Sequence, residues 1–579
     1  MDTKKFVLII IFSTSLLFLW DAWVTERGRL DKLASESVST AAGSTPQQGH
    51  EALPVPGDAL TASQAENGQA AGIDGAPTTV TPRMLATGEQ IKVVTDMVIA
   101  EIDTAGGDLR RLELLKHPSS EDKEIPYALL QSQSRIAVAQ AGLIGDGLPN
   151  HKTEFTLDSS TRNFELTSDQ DKIVVRLLAP EVNGVQVAKI YTFHRGSYVI
   201  DVQFEVQNHG EAMIRPFAYF QMLRDNVAPP GSTMMIPTYL GAAIYTEDEK
   251  FQKIHFSDLD KNKADYPQNA DNGWIAMLEH YFVSAWLPEQ GKPREFFAKR
   301  IGDNLYTAGI IVPVGGISPG DTARVTMPLY AGPQEQDKLA ELSPGLELTV
   351  DYGWLTVIAA PLFWLLSFYH EWVGNWGVAI ILLTMTVKLL FFPLSAAGYR
   401  SMAKLRLVTP KLQRIQEQYK SDRPRMHQAM MELYKEEKIN PMGGCLPILV
   451  QIPVFIALFW TLLAAVELRY APFALWITDL SSPDPYYVLP VLMGISMFIQ
   501  FKLNPKPTDP LQARVMQIMP IAFSIFFFFF PAGLVLYSLV NNILSILQQW
   551  QITRLYGQPA EEKGSKVKPK EKAKEKRKS

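Results

Sequence analysis

The chain has 579 residues, of which 47% are hydrophobic and 10% aromatic, and its formal net charge is −5. This length predicts more than one domain. The single cysteine, Cys445, excludes an intrachain disulfide, and the sequence contains no zinc-type Cys/His cluster, phosphate-binding glycine loop or nucleophile elbow. The composition therefore argues against the corresponding enzyme classes, and we expect no catalytic residues, no metal and no cofactor.

The N-terminus predicts a membrane anchor followed by a flexible tether. Two lysines precede an apolar run that ends at Trp20 and Trp23 without small residues for cleavage. Residues 1–24 are therefore interpreted as an uncleaved signal anchor with a cytoplasmic N-terminus, and a cleaved signal peptide is the alternative. Residues 25–90 are mostly Ala, Gly, Ser, Thr, Pro and Gln, a composition that cannot bury enough surface to fold.

Residues 91–345 predict a large β domain. Short runs such as KIVVRLLAP, VQVAKIYTFHRG and YVIDVQFEVQN alternate or cluster Val, Ile, Tyr and Phe and are bounded by turn residues. Because no helical series separates the runs, we predict an antiparallel β-sandwich. The histidines of this region lack metal-ligand spacing and are interpreted as ordinary ones: His194, His209 and His280.

Residues 346–372 are apolar and aromatic, contain Pro361 and lie just before the next apolar run. If this segment crossed the membrane, the basic segment after the next span would fall outside the cell. We therefore predict an amphipathic helix on the outer membrane surface, anchored by Trp354, Trp364 and Trp372.

The predicted five-span core, 373–555, opens with an apolar run that carries one lysine. Residues 377–397 supply about twenty residues, enough at ~1.5 Å per residue to cross a ~30 Å hydrocarbon layer. Lys388 lies near the middle of this run, and helical spacing places Thr384, Lys388 and Ser395 on one face. A charge at mid-membrane costs roughly 2.5–3.5 kcal/mol, so this lysine needs an explanation.

Three interpretations of Lys388 stay open at this point. The side chain can snorkel to the interface, pair with a buried acid, or face a water-filled groove as an unpaired cation. No Asp or Glu lies inside any other candidate span, which removes the partner of the second interpretation. We favour the groove.

Residues 398–440 predict a cytoplasmic helical hairpin. Residues 400–440 contain ten Lys/Arg against five Asp/Glu, which favours the cytoplasmic side, and Asp422 with Pro424 indicates a turn and a helix start. The hairpin methionines suit packing or contact with varied partners. The basic residues that we assign to ribosome or nascent-chain docking are Arg400, Lys404, Arg406 and Lys411.

Three more apolar regions follow, at 446–466, 487–501 and 515–547. The last is broken by Pro531 and Gly533 and is divided into two spans, which gives six spans in total and returns the tail, 556–579, to the cytoplasm. The tail has nine Lys/Arg against four Asp/Glu after Ala560, and we assign Lys570, Lys572 and Arg577 to ribosome docking.

The polar residues inside these later spans include Gln451, Ser524, Tyr537, Ser538, Asn541 and Asn542. Interhelical hydrogen bonding is the ordinary use of each one. Beside an unpaired Lys388, we expect Gln451, Tyr537, Ser538 and Asn541 to form the walls of a wet groove.

Several long segments of the chain are distinctive: NPMGGCLPILVQIPVF, ELRYAPFALWITDLS, DPYYVLP, FPAGLVLY, NGWIAMLEHYFVSAWLP and LTVDYGWL. Together they resemble the YidC-type membrane protein insertases of Gram-negative bacteria (the YidC/Oxa/Alb family). The resemblance implies a polytopic α-helical inner-membrane protein with six spans and a periplasmic β-super-sandwich similar to sugar mutarotases. It also implies a groove that is open to the cytoplasm and lipid, with a positive residue in the second span.

Two positions depart from those relatives. Lys388 stands where they carry arginine, which keeps the charge but loses the bidentate fork of a guanidinium. Ser538 stands where they carry the second tyrosine of a pair, so one aromatic groove wall is missing.

The predicted function is therefore a membrane protein insertase and chaperone that acts through a hydrophilic groove, alone or with the Sec translocon. Expected partners are nascent membrane proteins, the ribosome, the Sec translocon and the lipid bilayer, with no small-molecule substrate. The expected location is the inner membrane, with both termini cytoplasmic and the large domain periplasmic. A secondary transporter or channel that uses Lys388 is the alternative, although the sequence has no internal repeat and no second intramembrane charge. A membrane-anchored sugar-acting enzyme would not need polar-lined spans.

Overall fold

The computed structural model describes residues 85–120, 122–229, 239–350, 352–419, 422–437, 446–503 and 524–556, together with 514, 518, 521 and 522. The predicted signal anchor, most of the tether and the basic tail beyond residue 556 lie outside these residues. The chain divides into two compact units. One is built of β-strands and extends through Gly353, and the other is helical and begins at Trp354.

Two large sheets make up the β unit. Its strands are β1 (Gln90–Val94), β2 (Val98–Asp103), β3 (Asp108–Pro118), β4 (Pro126–Leu130), β5 (Ala137–Ile144), β6 (Thr156–Leu157), β7 (Asn163–Glu165), β8 (Lys172–Leu178), β9 (Val185–His194), β10 (Val199–Asn208), β11 (Phe217–Asp225), β12 (Gly241–Thr246), β13 (Lys250–Ile254), β14 (Asn269–Ala270), β15 (Trp274–Leu278), β16 (Phe282–Trp286), β17 (Arg294–Gly302), β18 (Leu305–Pro313) and β19 (Thr322–Pro333). Two short helices accompany them, α1 (Phe256–Asp260) and α2 (Gln336–Leu342).

The strand order confirms the predicted antiparallel sandwich. One sheet has ten strands in the order β14-β17-β18-β11-β5-β3-β2-β1-β7, with β4 paired to β3. The other has nine, in the order β13-β12-β15-β16-β19-β10-β9-β8-β6. The three sequence runs that carried the prediction are the neighbouring strands β8, β9 and β10, which pair antiparallel. Within the described residues, the β1–β7 pair is the parallel exception.

Alternation of apolar residues explains why these strands face a common core. In β10, the side chains of Ile200, Val202, Phe204 and Val206 are buried at every second position, as the period of a strand requires. They belong to one continuous apolar cluster that both sheets supply. Burial of this apolar area, at roughly 25 cal/mol per Å², is the main favourable term in folding the unit.

A charged pair that the sequence pattern did not predict lies inside this core. Lys189 on β9 and Asp108 on β3 are both fully buried, with 3.7 Å between Nζ and Oδ1. The ammonium group also donates to the carbonyls of Gly106 and Ala141, at 3.1 and 2.9 Å. Gln140 donates to the other carboxylate oxygen of Asp108 at 2.8 Å. Burial lowers the pKa of Lys189 to about 8 and raises the pKa of Asp108.

The helical unit contains α3 (Thr356–Val373), α4 (Trp376–Leu390), α5 (Phe392–Gln418), α6 (Arg423–Glu436), α7 (Leu446–Ala464), α8 (Val488–Leu503) and α9 (Ala532–Tyr556). Within the described ranges, no single helix combines the length and hydropathy of a membrane span. Taken together, α4 and α5 have the length and composition of a span, but they are bent by 66° at the break between them. The part of α7 from Gln451 to Ala464 is a shorter apolar helix, and so is α8.

The predicted amphipathic helix begins at Thr356 rather than at residue 346. Leu346 is buried in the apolar cluster of the β unit, so the first residues of the predicted segment belong to that unit. Along α3, Ala359, Phe363 and Leu366 are buried, whereas Trp364 and Trp372 are exposed. Two of the three proposed tryptophan anchors therefore lie on the outward face, and the side chain of Trp354 is outside the described residues.

The predicted straight helix across 377–397 is wrong. The chain ends α4 at Leu390 and starts α5 at Phe392, because Pro393 has no N–H to donate and its ring clashes with the carbonyl of Leu389. Lys388 consequently sits in the last turn of α4 and not in the middle of a continuous span. Ser395 lies beyond the bend, so the expected single face of Thr384, Lys388 and Ser395 does not form.

The helices α5 and α6 form the predicted hairpin. Their contact is an apolar cluster of Val408, Leu412 and Leu433, against which Met430 packs. Asp422 caps α6 by accepting a hydrogen bond from the backbone N–H of Arg425 at 3.2 Å.

Candidate functional site

A cavity of about 200 Å³ lies among α4, α7 and α9. It is lined by Val387, Lys388, Phe391, Gln451, Ile452, Val454, Phe455, Tyr537 and Asn541. Four of these side chains are polar, and one of the four carries a formal charge. The cavity therefore combines an apolar wall with a cationic, hydrogen-bonding wall.

Lys388 forms the cationic part of that wall. Its side chain is 5% exposed, and Nζ donates to the hydroxyl of Ser545 at 2.7 Å. Among the residues that the structure describes, no carboxylate forms an ion pair with it. The expectation of a cation without an acidic partner thus agrees with the described geometry, but the ammonium group has a hydroxyl partner that the sequence pattern did not predict.

The structure separates the other two residues of the expected stripe from Lys388. Thr384 is buried and donates to the carbonyl of Ile380 at 2.6 Å, so its hydroxyl is satisfied within α4. Ser395 accepts a hydrogen bond from Gln451 Nε2 at 3.0 Å. Neither Ser395 nor Thr384 lines the cavity. Ser395 therefore acts on the site through Gln451.

The polar residues of α9 fall into two rows. Tyr537 and Asn541, one turn apart, line the cavity, and the Tyr537 ring lies 5.8 Å from the ring of Phe455. Ser538 and Asn542 lie outside it, and Asn542 donates to Ser496 on α8 at 2.7 Å. Of the predicted groove residues, the cavity thus brings together Lys388, Gln451, Tyr537 and Asn541, and leaves out Thr384, Ser395 and Ser538.

Sequence reasoning missed Ser545 and Gln549, which continue the second row. Ser538, Asn542, Ser545 and Gln549 are all buried and follow each other at helical spacing. That spacing is a signal in the sequence, although Gln549 lies beyond the predicted apolar region 515–547.

A loop at 468–487 closes the opposite end of the helical unit. Asp479 accepts hydrogen bonds from Tyr470, Ser481 and Ser482, and Asp484 accepts from Trp476 and two backbone N–H groups. The two buried carboxylates therefore fix the loop from within.

This loop holds the first turns of α4 and α9. Asn375 donates to the carbonyl of Phe473 at 2.9 Å, and the N–H groups of Ala532 and Gly533 donate to loop carbonyls at 2.8 and 2.9 Å. Both helices start at the loop, so Lys388, twelve residues along α4, lies ~18 Å from it at 1.5 Å per residue. Ile380, Leu383 and Val535 lie between the loop and Lys388 and are buried and apolar.

Two family models together cover the described part of the chain. The model of the YidC periplasmic domain matches residues 90–365, and the model of the 60Kd inner membrane protein matches residues 368–559. The membrane protein insertase YidC of Nitrosomonas europaea is 73% identical over 563 residues, which are 96% of this chain and 91% of that protein. The corresponding protein of Methylobacillus flagellatus is 55% identical over 556 residues, 96% of this chain and 97% of that one.

The chain belongs to the YidC family of membrane protein insertases. The β unit is the YidC periplasmic domain, and the helical unit falls in the inner-membrane part of the family. A crystal structure described as an active YidC insertase with its first transmembrane domain resolved is 18% identical, with a TM-score of 0.37, and the match covers 80% of this chain and 92% of that one. The assignment rests on the sequence relatives.

The YidC assignment confirms the predicted function and location at family level. This family consists of insertases of the inner membrane rather than enzymes, which disfavours the transporter and sugar-enzyme alternatives. The cavity at Lys388 therefore belongs to a protein that inserts other proteins into the membrane.

The basic residues proposed for docking lie apart from the cavity. Arg400, Lys404, Arg406 and Lys411 are exposed on α5, and Lys411 pairs with Glu437 at 2.6 Å. Lys570, Lys572 and Arg577 lie outside the described residues.

Proposed function

We propose that the cavity receives the polar leading segment of a nascent membrane protein, which enters from the cytoplasm as part of a short hairpin. The observation that carries this proposal is Lys388, a buried cation with no acidic partner in the described chain, placed on the wall of a cavity. An acidic leading segment supplies the missing negative charge. Gln451, Tyr537 and Asn541 offer hydrogen bonds to its backbone and polar side chains.

The apolar segment of the substrate leaves this cavity along its hydrophobic wall. Ile452 and Phe455 support this route, because they line the cavity and are also 44% and 38% exposed. A side chain that passes from water into lipid gains ~0.8 kcal/mol per buried CH₂. The membrane potential adds ~2.3 kcal/mol per transferred charge per 100 mV for an acidic segment that moves outward.

Six spans with both termini in the cytoplasm complete the proposed arrangement. The hairpin and the basic tail then face the cytoplasm, and the loop at 468–487 faces the periplasm. The packed apolar layer between Lys388 and that loop supports a groove closed on the periplasmic side. Closure there retains ions while a segment occupies the cavity.

Site-specific photo-cross-linking tests the route. A cross-linking residue at position 451 is expected to capture a stalled nascent membrane protein, because Gln451 lines the cavity. The matched control is position 475, since Leu475 is exposed on the loop that closes the opposite end. Equal capture of the stalled chain at both positions would argue against entry through the cavity.

The ribosome is the proposed cytoplasmic partner, and the Sec translocon is a second partner for larger substrates. The cationic tail, with few apolar residues and nine Lys/Arg after Ala560, suits contact with rRNA phosphates. Each such contact releases condensed counterions, so the interaction depends strongly on salt.

Removal of residues 561–579 is therefore expected to reduce co-sedimentation of the solubilised protein with ribosomes. Binding of the full chain should also fall steeply as salt is raised. If the tail serves only anionic lipids, at ~1 kcal/mol per Lys/Arg, ribosome binding will be unchanged by the truncation. The exposed basic face of α5 would then be the docking site.

A further inference from the structure

Ser545 is the hydroxyl that holds the ammonium group of Lys388. It is 5% exposed in α9, accepts a hydrogen bond from Lys388 Nζ at 2.7 Å, and donates its own hydrogen to the carbonyl of Asn541 at 2.7 Å. A hydroxyl has one hydrogen to donate. Because Asn541 takes that hydrogen, the oxygen of Ser545 is left as an acceptor that faces Lys388.

This serine joins two helices at one atom, because Lys388 comes from α4 and Ser545 belongs to α9. Lys388 lies in the last turn of α4, so this contact lies close to the bend between α4 and α5. The position of the cation therefore depends on a side chain outside the cavity wall, since Ser545 is not among the lining residues.

The other members of the same row have different partners. Asn542 donates to Ser496, and Gln549 donates to the carbonyl of Leu503, so both bind α8. Ser545 alone in this row of described residues contacts Lys388. Packing of α9 on α8 is thus supplied by its neighbours, and the contacts of Ser545 serve the lysine.

We propose that Ser545 is a positioning residue that holds Lys388 in the resting insertase and releases it to an acidic substrate segment. This inference rests on the proposed function of the cavity. A neutral hydroxyl satisfies one of the three ammonium donors, which leaves two for a ligand. A substrate carboxylate adds the Coulombic attraction of a full negative charge, which a neutral hydroxyl lacks, so the carboxylate displaces the hydroxyl. An acid at position 545 would keep the cation permanently.

The decisive variant is Ser545→Asp in the full-length protein, assayed in cells depleted of the native insertase. Two substrates are compared that differ only in an acidic or a neutral leading segment. We expect insertion of the acidic substrate to fall by about tenfold relative to the neutral one, as one charge-assisted contact withheld from the substrate would produce. Ser545→Thr keeps the hydroxyl and is expected to insert both substrates normally.

Ser538→Asp is the matched control, because Ser538 is an equally buried serine of the same row that does not contact Lys388. It introduces the same buried charge and is expected to affect both substrates alike. Equal losses of both substrates in Ser545→Asp, at normal membrane levels of the protein, would overturn the proposal.

A transplanted charge gives a second test that a merely structural serine would fail. Lys388→Ser alone is expected to lose the acidic substrate selectively, and Lys388→Ser combined with Ser545→Lys is expected to recover it, because the cation returns one hydrogen bond away. A double variant no better than Lys388→Ser would refute the positioning role. If Lys388→Ser has no selective effect, the proposed function of the cavity fails. If Lys388→Ser has a selective effect and Ser545→Asp has none, the positioning role of Ser545 fails while the proposed function of the cavity stands.

Discussion

Lys388→Glu is expected to abolish insertion of substrates with acidic leading segments, whereas Lys388→Arg is expected to retain it. The side chain is buried at the cavity wall, and no described acid neutralises it. Reversal of its sign places two negative charges together, and juxtaposed like charges cost several kcal/mol. We therefore expect a loss on the order of a hundredfold, at 1.4 kcal/mol for each factor of ten.

Protease protection of pulse-labelled substrates, in cells depleted of the native protein, measures this loss. A substrate whose leading segment lacks acids should be affected far less. Lys435→Glu makes the same charge change on an exposed residue of α6 and serves as the control. Indistinguishable insertion of acidic substrates by wild type and Lys388→Glu would remove the electrostatic role of the lysine.

The apolar pattern correctly predicted that Lys388 lies in a helix. It predicted a position near the middle of that helix, whereas Lys388 lies in the last turn of α4. Pro393 was visible in the apolar run, yet length and hydropathy favoured one continuous span over 377–397. The proline instead ends that continuity, since it can donate no backbone hydrogen bond. The same rule worked at Pro531, where the predicted division precedes α9 at Ala532.

Contacts between distant helices explain the rest of the site. The i, i+4 relation of Tyr537 and Asn541 is local, and it correctly placed both on one wall. The bond from Lys388 to Ser545 joins residues 157 positions apart, and no periodicity within one helix encodes it. Gln451 was assigned to the groove as an isolated polar residue, and its bond to Ser395 depended on the bend in the preceding helix.

The β unit shows the same division between local pattern and distant contact. Alternation in 91–345 predicted the sandwich, because the period of a strand is readable from the sequence. Lys189 lies within such a run, and a lysine there suggests an outward side chain. Only the pairing with Asp108, which lies 81 positions earlier in the chain, makes its burial understandable.

Lys189→Met is expected to destabilise the β unit by about 3–5 kcal/mol, the usual cost when one partner of a buried ion pair is removed. The ammonium lies within 6 Å of three aromatic rings, those of Phe155, Tyr191 and Phe204, so the apolar methionine can occupy its place. The cost instead comes from Asp108, which is fully buried and would keep only Arg110 as a cationic partner, with 3.5 Å between Arg110 Nη2 and Asp108 Oδ2. Denaturant unfolding of the purified periplasmic segment measures the change.

Two further variants separate charge from packing. Lys172→Met on neighbouring β8 removes an exposed lysine and should change the free energy of unfolding by less than about 0.5 kcal/mol. Asp108→Asn combined with Lys189→Met removes both charges of the pair and should recover part of the loss, because a buried ion pair can often be replaced by neutral groups at little cost. Recovery is partial because buried Arg110 loses its carboxylate and keeps its hydrogen bonds to the carbonyls of Ala86 and Ala105. A single Lys189→Met variant as stable as Lys172→Met would show that the pair is not needed.

The pH dependence supplies an independent check on the buried lysine. Burial lowers the pKa of Lys189 to about 8 from its ordinary 10.5, so between these values the folded state binds fewer protons than the unfolded state. The contribution of Lys189 to the free energy of unfolding therefore rises with pH between about 8 and 10.5. The double variant has no such group and should lack this rise. Parallel pH profiles for wild type and double variant would mean that Lys189 is not desolvated as its burial requires.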